Sequence, residues 1–282
     1  MNLFYLWVLS KTLLCGCGPD TRRYDFGKVR SKYTIDKIAK LPDQITESSG
    51  LAHANDAETY WTHNDGGAPA ELFRIGTDGS LKEIRSLAPL KNRDWEEMAE
   101  DGKGRLFVGD FGNNLNNRKD LAIYIVNENQ PETEPGKITF RYGDQQSFPE
   151  TKKNRHYDCE AMFFHQDTLY LFSKNTARPP RYTRMYKLPA RPGDYTLYPT
   201  DSIRLNETIT GADISRDGNQ FALLSYGKIF FFDINDGRIG FSAPSGCLRF
   251  FKGQTEALLF KREGEILLTN EKGRMFLLSP RH

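Results

Sequence analysis

Carboxylates recur along this chain at the start of one repeated phrase. It reads ESSGLA from Glu47, DWEEMA from Asp94 and DCEAMF from Asp158, then weakens to ITGADI from Ile209 and QTEALL from Gln254. Each phrase leads into an apolar run that ends in a polar tip: THNDGG, VGDFGNN, LFSKNT, LLSYGK and LTNEKG. Carboxyl pairs such as Asp94 with Glu96 and Asp158 with Glu160 suit two kinds of chemistry. They can act as general acid and base, or they can hold a hard cation through oxygen. The sequence contains no HExxH, no CxxC and no Gly-rich phosphate loop before a helix. No serine lies in a nucleophile-elbow context, which argues against a Ser-His-Asp hydrolase.

The elements that must position these residues follow from the repeat itself. A phrase returning about every 45 to 65 residues, followed by short β-rich runs bounded by Gly, Asp and Asn, marks a radial all-β repeat. Five phrases predict a five-bladed β-propeller with four-stranded blades. The fifth blade has only three strands of its own. Tyr33–Leu41, YTIDKIAKL, is expected to supply the fourth and close the ring.

In an antiparallel blade the start of strand one meets the end of strand two on the same face. Asp94 to Asp110 and Asp158 to Lys174 are each sixteen residues apart, and Glu47 to Asp65 is eighteen. Glu47, Asn64, Asp65, Asp94, Glu96, Asp110, Asp158, Glu160, Lys174, Glu256, Asn270 and Glu271 are therefore expected around one channel mouth. Glu96 and Glu160 are the expected metal ligands. Asp94, Glu96, Asp158 and Glu160 are the candidates for acid and base. Crowded carboxylates need a cation, Lys or Arg partners, or protons. With oxygen ligands and no His/Cys cluster, calcium or magnesium is the metal to expect, and calcium is the favoured cofactor. In GDFGNNLNNRKD, Asp110, Asn113 and Arg118 are expected to face a ligand, while Asn116 and Asn117 shape the turn. His63 and His156 could serve as bases but read better as hydrogen-bonded residues near strand ends.

The 39 basic and 37 acidic residues give a net charge of +2, which offers no electrostatic footprint for nucleic acid. Residues 1–16 are apolar and read as an export signal of the lipoprotein type, with Cys17 as the lipid acceptor. Residues 17–32 are polar and aperiodic and read as a flexible tether, leaving 33–282 as the propeller. Cys159 and Cys247 are expected to be lone buried thiols. The chain is thus expected in the cell envelope, held to the membrane by lipid, as a monomer with a small-molecule or protein ligand.

From ESSGLAHANDAETYWTHNDGG through ELFRIGTDGSLKEI to RDWEEMAED, the chain resembles the SdiA-regulated group of bacterial propellers. Phytase-like esterase propellers share the pattern. That resemblance implies a five-bladed fold outside the cytoplasm with a bound calcium ion, and it places Glu47, Asn64, Asp65, Asp94 and Glu96 on recurrent positions. A weaker similarity is to calcium-activated nucleotidases. Three functions follow as expectations: a ligand-binding propeller, a metal-dependent hydrolase of phosphoester or glycosidic bonds, and a non-catalytic envelope scaffold.

Overall fold

The computed structural model describes residues 16–56, 58–179, 181–205 and 207–281. The expected export signal falls on residues outside these, apart from Gly16. The described chain opens with helix α1 (Gly18–Tyr24), strand β1 (Gly27–Lys28) and strand β2 (Tyr33–Lys40). Blade one then comprises β3 (Ser48–His53), β4 (Thr59–Asn64), β5 (Glu71–Gly76) and β6 (Leu81–Ser86). Blade two is β7 (Trp95–Glu100), β8 (Arg105–Asp110), β9 (Ala122–Asn127) and β10 (Gly136–Tyr142). Blade three is β11 (Cys159–His165), β12 (Thr168–Ser173), β13 (Thr183–Pro189) and, beyond β14 (Gly193–Leu197), the short β15 (Asp201–Ile203). Blade four is β16 (Ile209–Ile214), β17 (Gln220–Ser225), β18 (Lys228–Asp233) and β19 (Pro244–Arg249). Blade five is β20 (Thr255–Phe260), β21 (Ile266–Asn270) and β22 (Arg274–Pro280).

Five mainly antiparallel sheets make a five-bladed propeller. Inner strands β3, β7, β11, β16 and β20 touch in sequence, and β20 returns to β3. As the alternation in YTIDKIAK requires, β2 pairs antiparallel with β22 from Tyr33↔Pro280 to Lys40↔Arg274, so the two ends of the propeller share one sheet. The cores lie between blades. One such core joins Phe163 and Phe172 of blade three to Phe221 and Phe232 of blade four, with the rings of Phe221 and Phe232 stacked at 4.8 Å. Burial of this apolar area is what holds adjacent blades together.

Two edges depart from expectation. β14 leaves blade three and adds a fifth, parallel strand to β10 of blade two. The segment expected as a tether is folded. Its Phe26 is fully buried against Phe230 and Phe232, and β1 pairs in parallel with β19. Lys228 Nζ donates to Asp20 (2.9 Å) and to Glu207 (2.8 Å), all three nearly buried. Cys17 is disulfide-bonded to Cys247. This corrects one expectation, since Cys247 is no lone thiol, and it engages the Cys17 sulfur that a lipid thioether would use. Cys159 is free and buried, as expected.

Candidate functional site at the channel mouth

Every inner strand carries a β-bulge at the same step. The register slips between Ser48 and Gly50, Trp95 and Glu97, Cys159 and Ala161, Ile209 and Gly211, and Thr255 and Ala257. The unpaired residues are Ser49, Glu96, Glu160, Thr210 and Glu256. A bulge re-aims its extra side chain and breaks the alternation of faces, so this one column forms a ring around the channel. Two members lace neighbouring blades together: Ser49 Oγ donates to the Glu96 carbonyl (3.1 Å) and Thr210 Oγ1 to the Thr255 carbonyl (2.9 Å). The other three are carboxyls.

Strand-two ends join this ring from outside. Asp65 N donates to the Glu47 carbonyl, Lys174 N to the Asp158 carbonyl and Glu271 N to the Gln254 carbonyl. Lys174 Nζ donates to Glu160 Oε1 at 2.7 Å, and Tyr226 Oη donates to Glu256 Oε1 at 3.0 Å. Oxygens of Asp65, Asp94 and Glu96 lie within 4.8 Å of one another, a grouping that could hold a cation. Gly112 is what lets the chain pass over them, since a Cβ there would overlap the Asp94 and Glu96 carboxyls. Behind it, Asp158 is fully buried. Its Oδ1 accepts from Asn113 N at 2.7 Å, while its Oδ2 has no partner. A buried carboxylate oxygen without a donor calls for a water or an ion.

The electrostatics agree. Burial, then the charges of Asp65 and Asp158, raise the Asp94 carboxyl to about 6. Burial chiefly raises Glu160 to about 8, with Lys174 opposing and Asp158 adding. Burial and then Glu160 hold Glu96 well above the carboxylate range. The Lys174 ammonium sits among eight carboxyls, Glu47, Asp65, Asp94, Glu96, Asp158, Glu160, Glu256 and Glu271, with Arg118 acting on Asp94 and Arg155 on Asp158 from outside. A divalent cation would supply the missing positive charge through hard oxygen ligands.

Four expected ligand-facing residues are committed elsewhere. Asn64 spends its amide on the Gln44 carbonyl and on Glu47 N. Asp110 is buried beneath Arg118, which also holds the Gly112 carbonyl and Asp120. Asn113 donates to the Tyr157 carbonyl and accepts from Asn117 N and Arg118 N. Asp110, Asn113 and Arg118 therefore brace the loop instead of offering ligands, because each side chain satisfies otherwise orphaned backbone. His63 is buried edge-on against Trp95 and hydrogen-bonds the Asn64 carbonyl. His156, pushed down to about 4 chiefly by burial, stands near Arg184.

Glu97 is the residue that pattern reading passes over. In its column the other blades carry Gly50, Ala161, Gly211 and Ala257. The space these small residues leave is filled by the Glu97 side chain, fully buried, with Oε1 accepting from Met98 N (3.0 Å) and Oε2 from Ala212 N across the channel (3.0 Å). Glu97 thus plugs the channel one step below the carboxyl ring.

Ring, plug and closure define a five-bladed propeller with an acidic polar site at one end of its channel. No family model matches the sequence, and no curated protein matches it. Among solved structures, the fold is similar to that of a gluconolactonase from Xanthomonas campestris, with a TM-score of 0.51 and 12% identity over 89% of this chain and 91% of that one. It also overlaps hydrazine synthase from Kuenenia stuttgartiensis, with a TM-score of 0.42 and 13% identity over 82% of this chain and 57% of that one.

Proposed function

We propose that this chain is an extracytoplasmic ligand-binding propeller that holds a calcium ion at the channel mouth through Asp65, Asp94 and Glu96, with Asp158 beside them, and recruits an oxygen-rich ligand to it. The observation that carries this reading is the convergence of three carboxylates within 4.8 Å next to a buried carboxylate oxygen that lacks a partner. Glu47, Glu256 and Glu271 line the remaining mouth, and Lys174, paired with Glu160, places a positive charge beside them. The resemblance to SdiA-regulated propellers supports calcium. The disulfide Cys17–Cys247 supports a location outside the cytoplasm, where such bonds persist. Attachment through a lipid on Cys17 requires that disulfide to be open, and intact-mass analysis of the mature chain separates the two states. The chain acts as a monomer, without nucleic acid.

A calcium titration followed by melting tests this reading. Stabilisation in the wild type that vanishes in Glu96→Gln is the expected result. No shift in either protein contradicts it.

A second reading is hydrolysis. Glu160, raised to about 8, holds a proton at neutral pH and could protonate a leaving group, while Asp94 takes a proton from water. The gluconolactonase of similar fold supports a hydrolase. Turnover of lactones, phosphoesters or glycosides that is abolished by Glu160→Gln would favour it over binding alone.

A further inference from the structure

The channel has a second end, beyond the Glu97 plug. There the C-terminal ends of all five inner strands, with His53, Glu100, Phe164, Asp213 and Phe260, surround a cavity of about 250 Å³. Three positions past each bulge the chain carries Ala52, Ala99, Phe163, Asp213 and Leu259. Asp213 is thus the one charged member of its column, two residues along from the column that holds Glu97. Its Oδ2 accepts from Phe260 N at 2.7 Å, across the boundary of blades four and five, and Ile214 N is a second backbone donor. No cation forms a salt bridge with Asp213 among the described residues. Arg216, three residues on, lines the same cavity but pairs with Glu100 of blade two at 2.8 Å. That contact spends Nη1 alone of a side chain that is 49% exposed. The other lining carboxylates, Asp101 and Asp217, are taken up by Arg105 and by their own turn.

An acid and a base that face one cavity without pairing with each other set the chemistry of the occupant. Asp213 lacks a cation, and burial, with Glu100 adding to it, raises its carboxyl to about 7. Arg216 keeps N–H donors free for a carboxylate. Between them Ala52, Ala99 and Leu259 offer an apolar wall without polar partners. Drug-sized ligands need cavities of roughly 300 Å³ or more, so the occupant here is small. We propose that this far mouth binds a free aliphatic α-amino acid as its zwitterion, with the ammonium on Asp213, the carboxylate on Arg216 and the side chain against Leu259. Glu97 separates the site from the carboxyl ring, and it does not depend on calcium.

The test is calorimetric titration of the calcium-free protein with L-valine at pH 8, where Asp213 carries its charge. Isobutylamine, which lacks the carboxylate, and isovalerate, which lacks the amine, are the controls. Valine is expected to bind, with each analogue about tenfold weaker, the loss of one charge-assisted contact. Asp213→Asn keeps an acceptor for Phe260 N, Arg216→Gln alters an exposed side chain, and an unchanged melting temperature verifies both folds. In Asp213→Asn valine should bind no better than isovalerate, and in Arg216→Gln no better than isobutylamine. Glu96→Gln should leave valine binding unchanged, which separates this site from the proposed calcium site. No binding of valine, an analogue that binds as tightly as valine, or an Arg216→Gln protein that still prefers valine to isobutylamine would overturn the proposal. If Asp213→Asn does not fold, the two analogues and Arg216→Gln carry the test without it.

Discussion

Glu96 and Glu97 are neighbours in one strand, both buried, and the fold gives them opposite tasks. Glu97 accepts backbone N–H groups from blades two and four and closes the channel. Glu96 sits on the bulge, faces other carboxyls and lies within 4.8 Å of Asp65 and Asp94. Burial raises the carboxyl of both. What separates them is the source of compensation: backbone donors already in place for one, and a cation still to be bound for the other. A buried carboxyl is structural when the chain supplies its partners, and a ligand site when it does not.

The largest expected effect comes from breaking the structural member. Glu97→Ala removes the acceptor of two buried N–H groups and leaves a cavity on the axis, costing about 3 kcal/mol in a denaturant melt, with or without calcium. Glu96→Gln should behave in the opposite way. Without calcium it should leave stability unchanged or raise it by up to about 1 kcal/mol, because like charges are relieved. It should abolish the calcium increment, which reaches about 2.7 kcal/mol at a hundredfold excess over Kd. A Glu96→Gln protein that still gains that increment would break the distinction.

Acidity sharpens the same contrast. Asp94 at about 6 and Glu160 at about 8 lie above their unfolded values, so the folded state binds the extra protons. Their favourable contribution is complete below the unfolded carboxyl pKa and is lost as pH rises towards 6 for Asp94 and towards 8 for Glu160. Melting temperatures in chelator should therefore fall across that window, and calcium should flatten the decline. A curve in chelator that rises from pH 5 to 8 would contradict this. The smallest effect is expected at Ser49→Ala. Ser49 occupies the same bulge column, but its hydroxyl only ties blade one to the Glu96 carbonyl. The loss should be about 1 kcal/mol with the calcium response intact.

Much of this architecture is legible in the residues alone. The acidic phrase repeats because each blade starts the same way, and YTIDKIAK alternates because it lies at a sheet edge. The bulge is not legible, since it is a slip of backbone register that no side-chain pattern marks. Strict alternation would put Glu96 and Glu97 on opposite faces without saying which one lines the mouth. The column Gly50, Glu97, Ala161, Gly211 and Ala257 does carry a usable signal, one large residue among four small ones. The polar segment after Cys17 lacks periodicity because a disulfide, one ion cluster and Phe26 hold it in place of an apolar face. In GDFGNNLNNRKD the residue types suit a ligand equally well. Only the hydrogen-bond partners show that Asn113 and Arg118 serve the loop itself.

A structure determined from crystals grown with calcium tests the central assignment most directly. One strong peak coordinated by Asp65, Asp94 and Glu96 beside Asp158 Oδ2 is expected, and none near Glu97. A mouth without a peak at saturating calcium, or an ion bound away from these carboxylates, would contradict it.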